Sequence, residues 1–271
     1  MSVQIAMNGM AAAGAGLVHF PESVTSNIQM LLRWFHLLAG ITWIGLLYFF
    51  NLVNVPFMRE LDPAVRGKVM PSLMTRALWW FRWSALVTVL AGISYWMTTV
   101  SNDVHTARAM APSALSAADS QVMANAGFGT VMASFWGIWL VVFAIEYVLV
   151  MVAKIDSGAV LAVLMTLVVG AGAWLFLFLN AHGWESNQLL AIGVGGGIGL
   201  VMLLAVWGII WRLQKKLIAW TAESAGSGNP LPASAAAMAR QAFLVSRINA
   251  WLTIPLLFFM AAASHYPLFG K

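Results

Sequence analysis

The sequence contains five histidines and no cysteine, and this combination decides which redox cofactors the chain can hold. Without thiolates it cannot form a disulfide, ligate an iron–sulfur cluster through cysteine or attach a c-type haem covalently. Neutral imidazole is the commonest metal ligand among side chains, and two imidazoles on facing helices can hold a b-type haem inside a bundle. The histidines are therefore the first candidates for a cofactor site.

His36 is the strongest of these candidates because it lies within a long apolar segment, where an ionisable side chain is costly and indicates function. Arg33, Gly40 and Trp43 lie three before, four after and seven after it, so the four residues share one face of a helix. Gly40 would leave room for a porphyrin, and Arg33 would pair with a haem propionate. The alternative is a structural histidine, hydrogen-bonded to the backbone of a neighbouring helix.

His265 repeats this arrangement near the end of the last apolar segment, with two alanines one turn before it. We predict that His36 and His265 are the axial ligands of one haem b, since both lie at similar depth from the same side of the membrane. His182 is either a further ligand or an interfacial hydrogen-bonding residue. His105 is expected in a solvated loop, with a second haem between His105 and His182 as the alternative.

Two charged residues fall inside other apolar segments. Arg82 and Glu146 are expected at matching depth, and a buried charge needs a partner. We expect a structural ion pair between them, with a quinone or proton site as the alternative. The sequence has no phosphate-binding glycine loop, HExxH motif, nucleophile elbow or EF-hand pattern, so the machinery of common soluble enzymes is not visible in it.

The composition shows which elements must position these residues. Hydrophobic residues make up 61% of the chain and charged residues 8%, with a mean hydropathy of +0.84, whereas about a quarter of residues is charged in soluble domains. The basic residues flank apolar runs and form no basic domain, which excludes nucleic acid as the expected partner. The sequence predicts an all-α integral membrane protein in the lipid bilayer, with about six transmembrane helices. The apolar runs cover 29–55, 77–100, 129–153, 158–180, 188–213 and 248–267.

Lysine and arginine positions predict the orientation of the bundle. Eleven of the fourteen flank the loops after the first, third and fifth apolar runs, and such residues stay in the cytoplasm. Both termini are then periplasmic in a multi-pass protein of the bacterial inner membrane. All five histidines, including His19, fall on the outer side. We divide the chain into an N-terminal interfacial segment, 1–27, and the transmembrane bundle, 28–271.

Two compositional clusters are expected to serve the membrane fold. Five glycines between residues 193 and 199 indicate close helix packing, with a flat cofactor against that face as the alternative. The tryptophans between residues 79 and 83 are typical of an aromatic belt at the headgroup level.

The stretch from Leu31 to Tyr48, LLRWFHLLAGITWIGLLY, resembles the first membrane helix of the bacterial membrane-bound urate oxidase (urate hydroxylase) family. The similarity continues through 51–54 (NLVN), 76–83 (RALWWFRW) and 264–267 (SHYP). The resemblance implies a helical membrane domain that precedes a C-terminal c-type cytochrome, with electrons leaving towards the periplasm. This sequence has no CxxCH motif, so we expect the fused cytochrome to be missing. The resemblance also points to His36 and His265 as functional residues.

These observations predict a membrane-embedded subunit that carries haem b and exchanges electrons with a periplasmic cytochrome c or a partner complex. The histidines on one side predict that electron exchange is confined to that face. One alternative is an oxidoreductase in its own right, a membrane urate hydroxylase or a porphyrin-linked enzyme. Another is a cofactor-free subunit that anchors or assembles a respiratory complex.

Overall fold

A computed structural model of the chain describes residues 21–269, and this part is helical without any β-strand. Six of its helices are long and apolar enough to cross a membrane, as the sequence predicted. His19 and most of the expected interfacial segment lie outside the described residues, and the first helix already begins at Val24. We name the helices α1 (Val24–Glu60), α2 (Pro63–Ser113), α3 (Ala117–Ala124), α4 (Phe128–Val152), α5 (Gly158–Asn180), α6 (Asn187–Ser227) and α7 (Ala235–His265).

The starts of three spans are fixed by serine caps. Ser23, Ser157 and Ser186 each accept a hydrogen bond from the backbone N–H three residues later. This bond satisfies one of the amide groups that the first turn of a helix leaves without a partner. At the start of α2, Pro63 occupies a first-turn position, where its missing N–H is not needed.

The helices extend beyond the apolar runs, so several of the predicted loops are wrong in extent. Pro63–Met110 is one α-helix of 48 residues, about 72 Å long at 1.5 Å per residue and longer than a bilayer with its headgroups. Residues predicted as loops on either side of 77–100 continue this helix. The reason is that hydropathy marks where a helix enters lipid, whereas polar helix formers continue its backbone hydrogen bonds in water.

Helix α6 forms the centre of the bundle and packs against α2, α4 and α7. Its glycines allow this contact, as expected for helix packing. A Cβ at Gly193 would overlap the Phe176 ring, and one at Gly197 would overlap the Trp139 indole. On another face of α6, a Cβ at Gly195 would lie 3.0 Å from Phe259 Cβ in α7. Bulky rings of α4 and α5 therefore lie directly on the α6 backbone.

We call the two ends of the bundle the histidine end, where α2 and α4 are joined, and the basic end, where α1 and α2 are joined. Helices α1, α4 and α6 run from the histidine end to the basic end. Each contains a π-helical segment in its half nearer the basic end: Phe49–Asn54, Val148–Val152 and Val206–Ile210. Such segments break the regular hydrogen-bond pattern and are frequent at functional sites.

Candidate functional site

The imidazole of His36 lies on the surface of α2. Its Nδ1 is 2.8 Å from the carbonyl oxygen of Thr88. Because a carbonyl can only accept, Nδ1 carries the hydrogen of the neutral ring and Nε2 keeps its lone pair. Nε2 makes no hydrogen bond with any described residue. The ring fits here because residue 92 is glycine: a Cβ there would lie 2.7 Å from Nδ1.

The helical face that His36 shares with Arg33, Gly40 and Trp43 is turned towards α2. The Arg33 guanidinium lies 5.6 Å from the centre of the Tyr95 ring and forms no ion pair with a described residue. A Cβ at Gly40 would lie 3.6 Å from Thr88, so this glycine sits against α2. Trp43 is buried, and its indole N–H has no hydrogen-bond partner within residues 21–269.

His265 is the last residue of α7, and its side chain is exposed. The hydroxyl oxygens of Tyr48 in α1 and Thr253 in α7 are 2.7 Å apart and fix the register of these antiparallel helices. His36 lies twelve residues before Tyr48, and His265 lies twelve residues after Thr253. At about 1.5 Å per residue, both histidines lie about 18 Å from this bond towards the histidine end. No hydrogen bond joins the two side chains.

A second cluster at the histidine end surrounds the loop between α5 and α6. His182 Nδ1 lies 2.9 Å from Glu185 Oε1, and the backbone N–H groups of His182 and Gly183 donate to Glu185 Oε2 at 2.8 and 3.0 Å. Gly183 has a φ of +98°, which favours glycine and lets both amides turn towards one carboxylate. The His182 side chain is half exposed, whereas the Glu185 carboxylate is buried. Nε2 of the imidazole makes no hydrogen bond with a described residue.

This loop borders a cavity of about 260 Å³ between α4 and α5. Beside it, the amide of Asn180 and the hydroxyl of Ser134 are hydrogen-bonded at 2.9 Å. The cavity thus combines an oriented imidazole with amide and hydroxyl groups and one indole, a mixture suited to a small polar and planar molecule. Its lining residues are Val122, Asn125, Gly127, Thr130, Val131, Leu179, Asn180, His182, Trp184 and Glu185.

Sequence reasoning missed Glu185 because an acid in a short loop usually faces water. Its signal was the spacing His-Gly-Trp-Glu, which allows a carboxylate to reach back to the loop's own amides.

His105 lies on the extension of α2 and not in a loop, which corrects the expected position; its side chain is exposed. Asp103, two residues earlier, accepts a hydrogen bond from the backbone N–H of Ser186 at 3.0 Å. Residues two apart on a helix point in different directions. Asp103 therefore faces the His182 loop, and His105 does not. No group of three or more His, Asp or Glu within the described chain could hold a metal ion, a finding that does not bear on a two-histidine haem.

The expected ion pair between Arg82 and Glu146 is wrong. Within residues 21–269 no lysine or arginine lies within ion-pair distance of a carboxylate, and the one contact of this kind is the hydrogen bond between His182 and Glu185. The Arg82 guanidinium instead lies over the ring of Trp211, 3.8 Å from its centre, and Glu146 is fully buried without a hydrogen-bond partner among the described residues. Equal depth does not fix the direction in which a helix presents a side chain, and an aromatic face can replace a carboxylate beside a guanidinium.

Comparison with known proteins identifies the family of the chain. The family model described as urate oxidase N-terminal matches residues 61–271. This region contains His105, His182 and His265, whereas His36 lies in α1, before the match begins. No curated protein matches the sequence. No solved structure matches it. Since the match covers well over half of the chain and agrees with the resemblance of the membrane helices, the chain belongs to the urate oxidase N-terminal family.

Proposed function

We propose that this chain is the membrane electron-transfer module of a urate-oxidising system and holds one haem b through His36 and His265. The observation that carries the proposal is the hydrogen bond between His36 Nδ1 and the Thr88 carbonyl. Histidines that ligate metals almost always donate their other ring N–H to a carbonyl or carboxylate, which fixes the tautomer and the ring orientation. His36 has this arrangement inside a membrane span. His265 lies at a matching depth, which supports it as the source of the second imidazole.

The residues present fit a haem in three respects. The His36 Nε2 atom and the exposed His265 side chain make no hydrogen bond with a residue of 21–269, and the Arg33 guanidinium has no carboxylate partner in the same part of the chain. When bound, the haem would accept and donate single electrons. The chain itself would hold the iron through two imidazoles, fix one of them against α2 and neutralise a propionate with Arg33. With the histidine end facing the periplasm, electrons would pass to a periplasmic cytochrome c or a partner subunit.

Visible spectra of the purified protein test this proposal. We expect a reduced-minus-oxidised spectrum of low-spin b type and a pyridine haemochrome of haem b. His36→Ala and His265→Ala should each abolish the low-spin signal, because each removes an axial ligand. Arg33→Ala should shift the midpoint potential and leave the haem bound, because a propionate partner tunes charge and does not hold iron.

His105→Ala is the matched control, since His105 is also exposed at the histidine end. It should leave the spectrum unchanged. A full low-spin spectrum in both His36→Ala and His265→Ala would refute this ligand pair, and His182 would then be tested with His105. Protein without haem would favour a role in anchoring or assembly.

A second candidate function is urate oxidation by the chain itself, and the cavity beside His182 favours it. Hydroxylation of urate with water as the oxygen source releases two electrons and two protons, so the site must supply a proton acceptor. His182 is suited to this role because Glu185 holds Nδ1–H, and Nε2 belongs to a half-exposed side chain that lines the cavity. The electrons would pass to the haem or to an added acceptor.

Turnover of urate with an added electron acceptor tests this second function. His182→Ala should lower kcat/KM by about 10²-fold or more, the usual contribution of an acid–base group. The haem spectrum should stay intact in this variant, so loss of substrate chemistry and loss of the cofactor are distinguishable. Absence of urate turnover in the wild-type protein with several acceptors would remove this function for the isolated chain.

A further inference from the structure

We infer that Glu146 forms a proton-binding site within the half of the bundle nearer the basic end, with its carboxyl group protonated and able to exchange its proton with water at that end. The proposal does not depend on the haem or on urate turnover. It concerns a different region of the molecule, since His36, His105, His182 and His265 lie in the opposite half.

Glu146 lies in the core-facing stripe of α4. Its residue exposure is 0%, and the neighbours at i−4, i−7 and i+4 in the stripe, Val142, Trp139 and Val150, are also buried. Neither carboxyl oxygen accepts a hydrogen bond from a described residue. An ionised carboxylate without hydrogen bonds in an apolar medium loses most of its solvation free energy, so such a group takes up a proton instead.

The charged groups around this half of the bundle do not change this conclusion. No Lys, Arg or His nitrogen of residues 21–269 lies within the 4.0 Å of an ion pair to Glu146. Arg82 from α2 is turned onto the rings of Trp207 and Trp211, at the start of the half of α6 nearer the basic end. Arg240 and Arg247 of α7 lie beside the Phe243 ring, 5.9 and 5.1 Å from its centre.

A buried polar side chain of α7 lies at about the depth of Glu146. Asn249 of α7 is fully buried and donates to the carbonyl of Met202 in α6 at 3.2 Å, while its Oδ1 has no partner in the described chain. Trp139 packs on Gly197 and thereby aligns α4 with the parallel helix α6. Glu146 lies seven residues beyond Trp139, and Met202 lies five residues beyond Gly197, a difference in depth of about 3 Å.

The path from Glu146 to the basic end begins in a π-helical segment. Val148–Val152 follows Glu146 directly, and the carbonyl of Val150 accepts a hydrogen bond from the partly exposed Gln241 side chain at 3.1 Å. Backbone carbonyls released from the regular pattern provide polar groups between the carboxyl and the surface. A single carboxyl group offers few ligands to a metal cation, which takes about six oxygens, so a proton is the ligand that Glu146 fits.

Labelling with dicyclohexylcarbodiimide tests protonation in the full-length protein in detergent. This apolar reagent takes the proton of a carboxylic acid, and the carboxylate then adds to its central carbon; rearrangement leaves an N-acylurea with the mass of the reagent added. We expect mass spectrometry to locate the adduct on Glu146, with complete loss in Glu146→Gln. Glu185 is the internal control, because it is equally buried but accepts three hydrogen bonds, and should remain unlabelled.

Three results would overturn this part of the proposal: no adduct at Glu146, equal labelling of Glu185, or protection of Glu146 by sodium ions, which would indicate a cation site.

Infrared spectroscopy tests exchange and keeps the proposal falsifiable if the reagent cannot enter the bundle. The carbonyl stretching band of a protonated acid should be present in the wild-type protein and absent in Glu146→Gln, and it should shift after transfer into D₂O. Glu146→Gln should also keep the melting temperature of the wild-type protein, since it replaces one neutral group by another. Absence of the band shows an ionised Glu146, and a band that never shifts shows a locked proton; either result refutes the proposal.

Discussion

Replacing Gly92 by alanine tests whether the contact between α1 and α2 positions His36. The new Cβ would lie 2.7 Å from Nδ1 and 2.8 Å from Cε1 of the imidazole, both shorter than van der Waals contact. The imidazole must therefore move, and it cannot keep its 2.8 Å hydrogen bond to Thr88. Overpacking costs about 1–3 kcal/mol and a lost hydrogen bond about 0.5–1.5 kcal/mol, so we expect destabilisation of about 2–4 kcal/mol.

A double-mutant cycle measured by unfolding in detergent separates this effect from a general effect of alanine. In a His36→Ala background the imidazole is gone, and Gly92→Ala should cost less than about 1 kcal/mol because the space is free. Gly137→Ala in α4 is the matched control, since nothing lies within 4 Å of its Cβ position. We also expect Gly92→Ala to lose low-spin haem although both histidines remain. Equal destabilisation by Gly92→Ala in both backgrounds would refute the reasoning.

Three further predictions follow from the other sites. Glu185→Ala should destabilise the α5–α6 loop by about 1–3 kcal/mol, because the backbone N–H groups of His182 and Gly183 would lose their acceptor; proteolysis of this loop measures the effect, and unchanged protection would contradict it. Arg82→Ala should lower the melting temperature by the same amount in the wild-type protein and in Glu146→Gln, because the two side chains form no ion pair; a smaller effect of Arg82→Ala in the Glu146→Gln background would show that they interact. An alkaline phosphatase fused after α7 should be active, because the C-terminus is predicted to be periplasmic. An active cytoplasmic reporter at that point would show the opposite orientation.

The six spans could be predicted because lipid imposes a simple requirement. About twenty apolar residues are needed to cross the hydrocarbon, and this requirement is visible in the sequence. The lengths of the helices could not be predicted from hydropathy. Polar residues such as those of Pro63–Arg76 form helix in water as readily as apolar residues do in lipid. The hydrogen-bond partner of His36 could not be predicted either, since Thr88 lies 52 residues away and contributes a backbone carbonyl.

The prediction for Glu146 and Arg82 failed for a related reason. A hydropathy profile gives the depth of a residue in the membrane, but it does not give the rotation of the helix about its axis. The rotation determines which side chain neighbours the guanidinium, so the profile cannot distinguish a carboxylate from an indole at that place. The role of the α6 glycines could be predicted more easily. In a membrane-spanning helix, glycines typically allow close packing of neighbouring helices.

The length and continuity of α2 have a mechanical consequence. The same helix provides the Thr88 carbonyl for His36, the Asp103 carboxylate for the α5–α6 loop and the backbone carbonyl of Arg82, which accepts from the Trp207 indole. An α-helix resists stretching, so these three points keep fixed spacings of about 9 and 22 Å along one rod. If α2 slides along its axis, all three contacts must shift together, and none of them can adjust on its own.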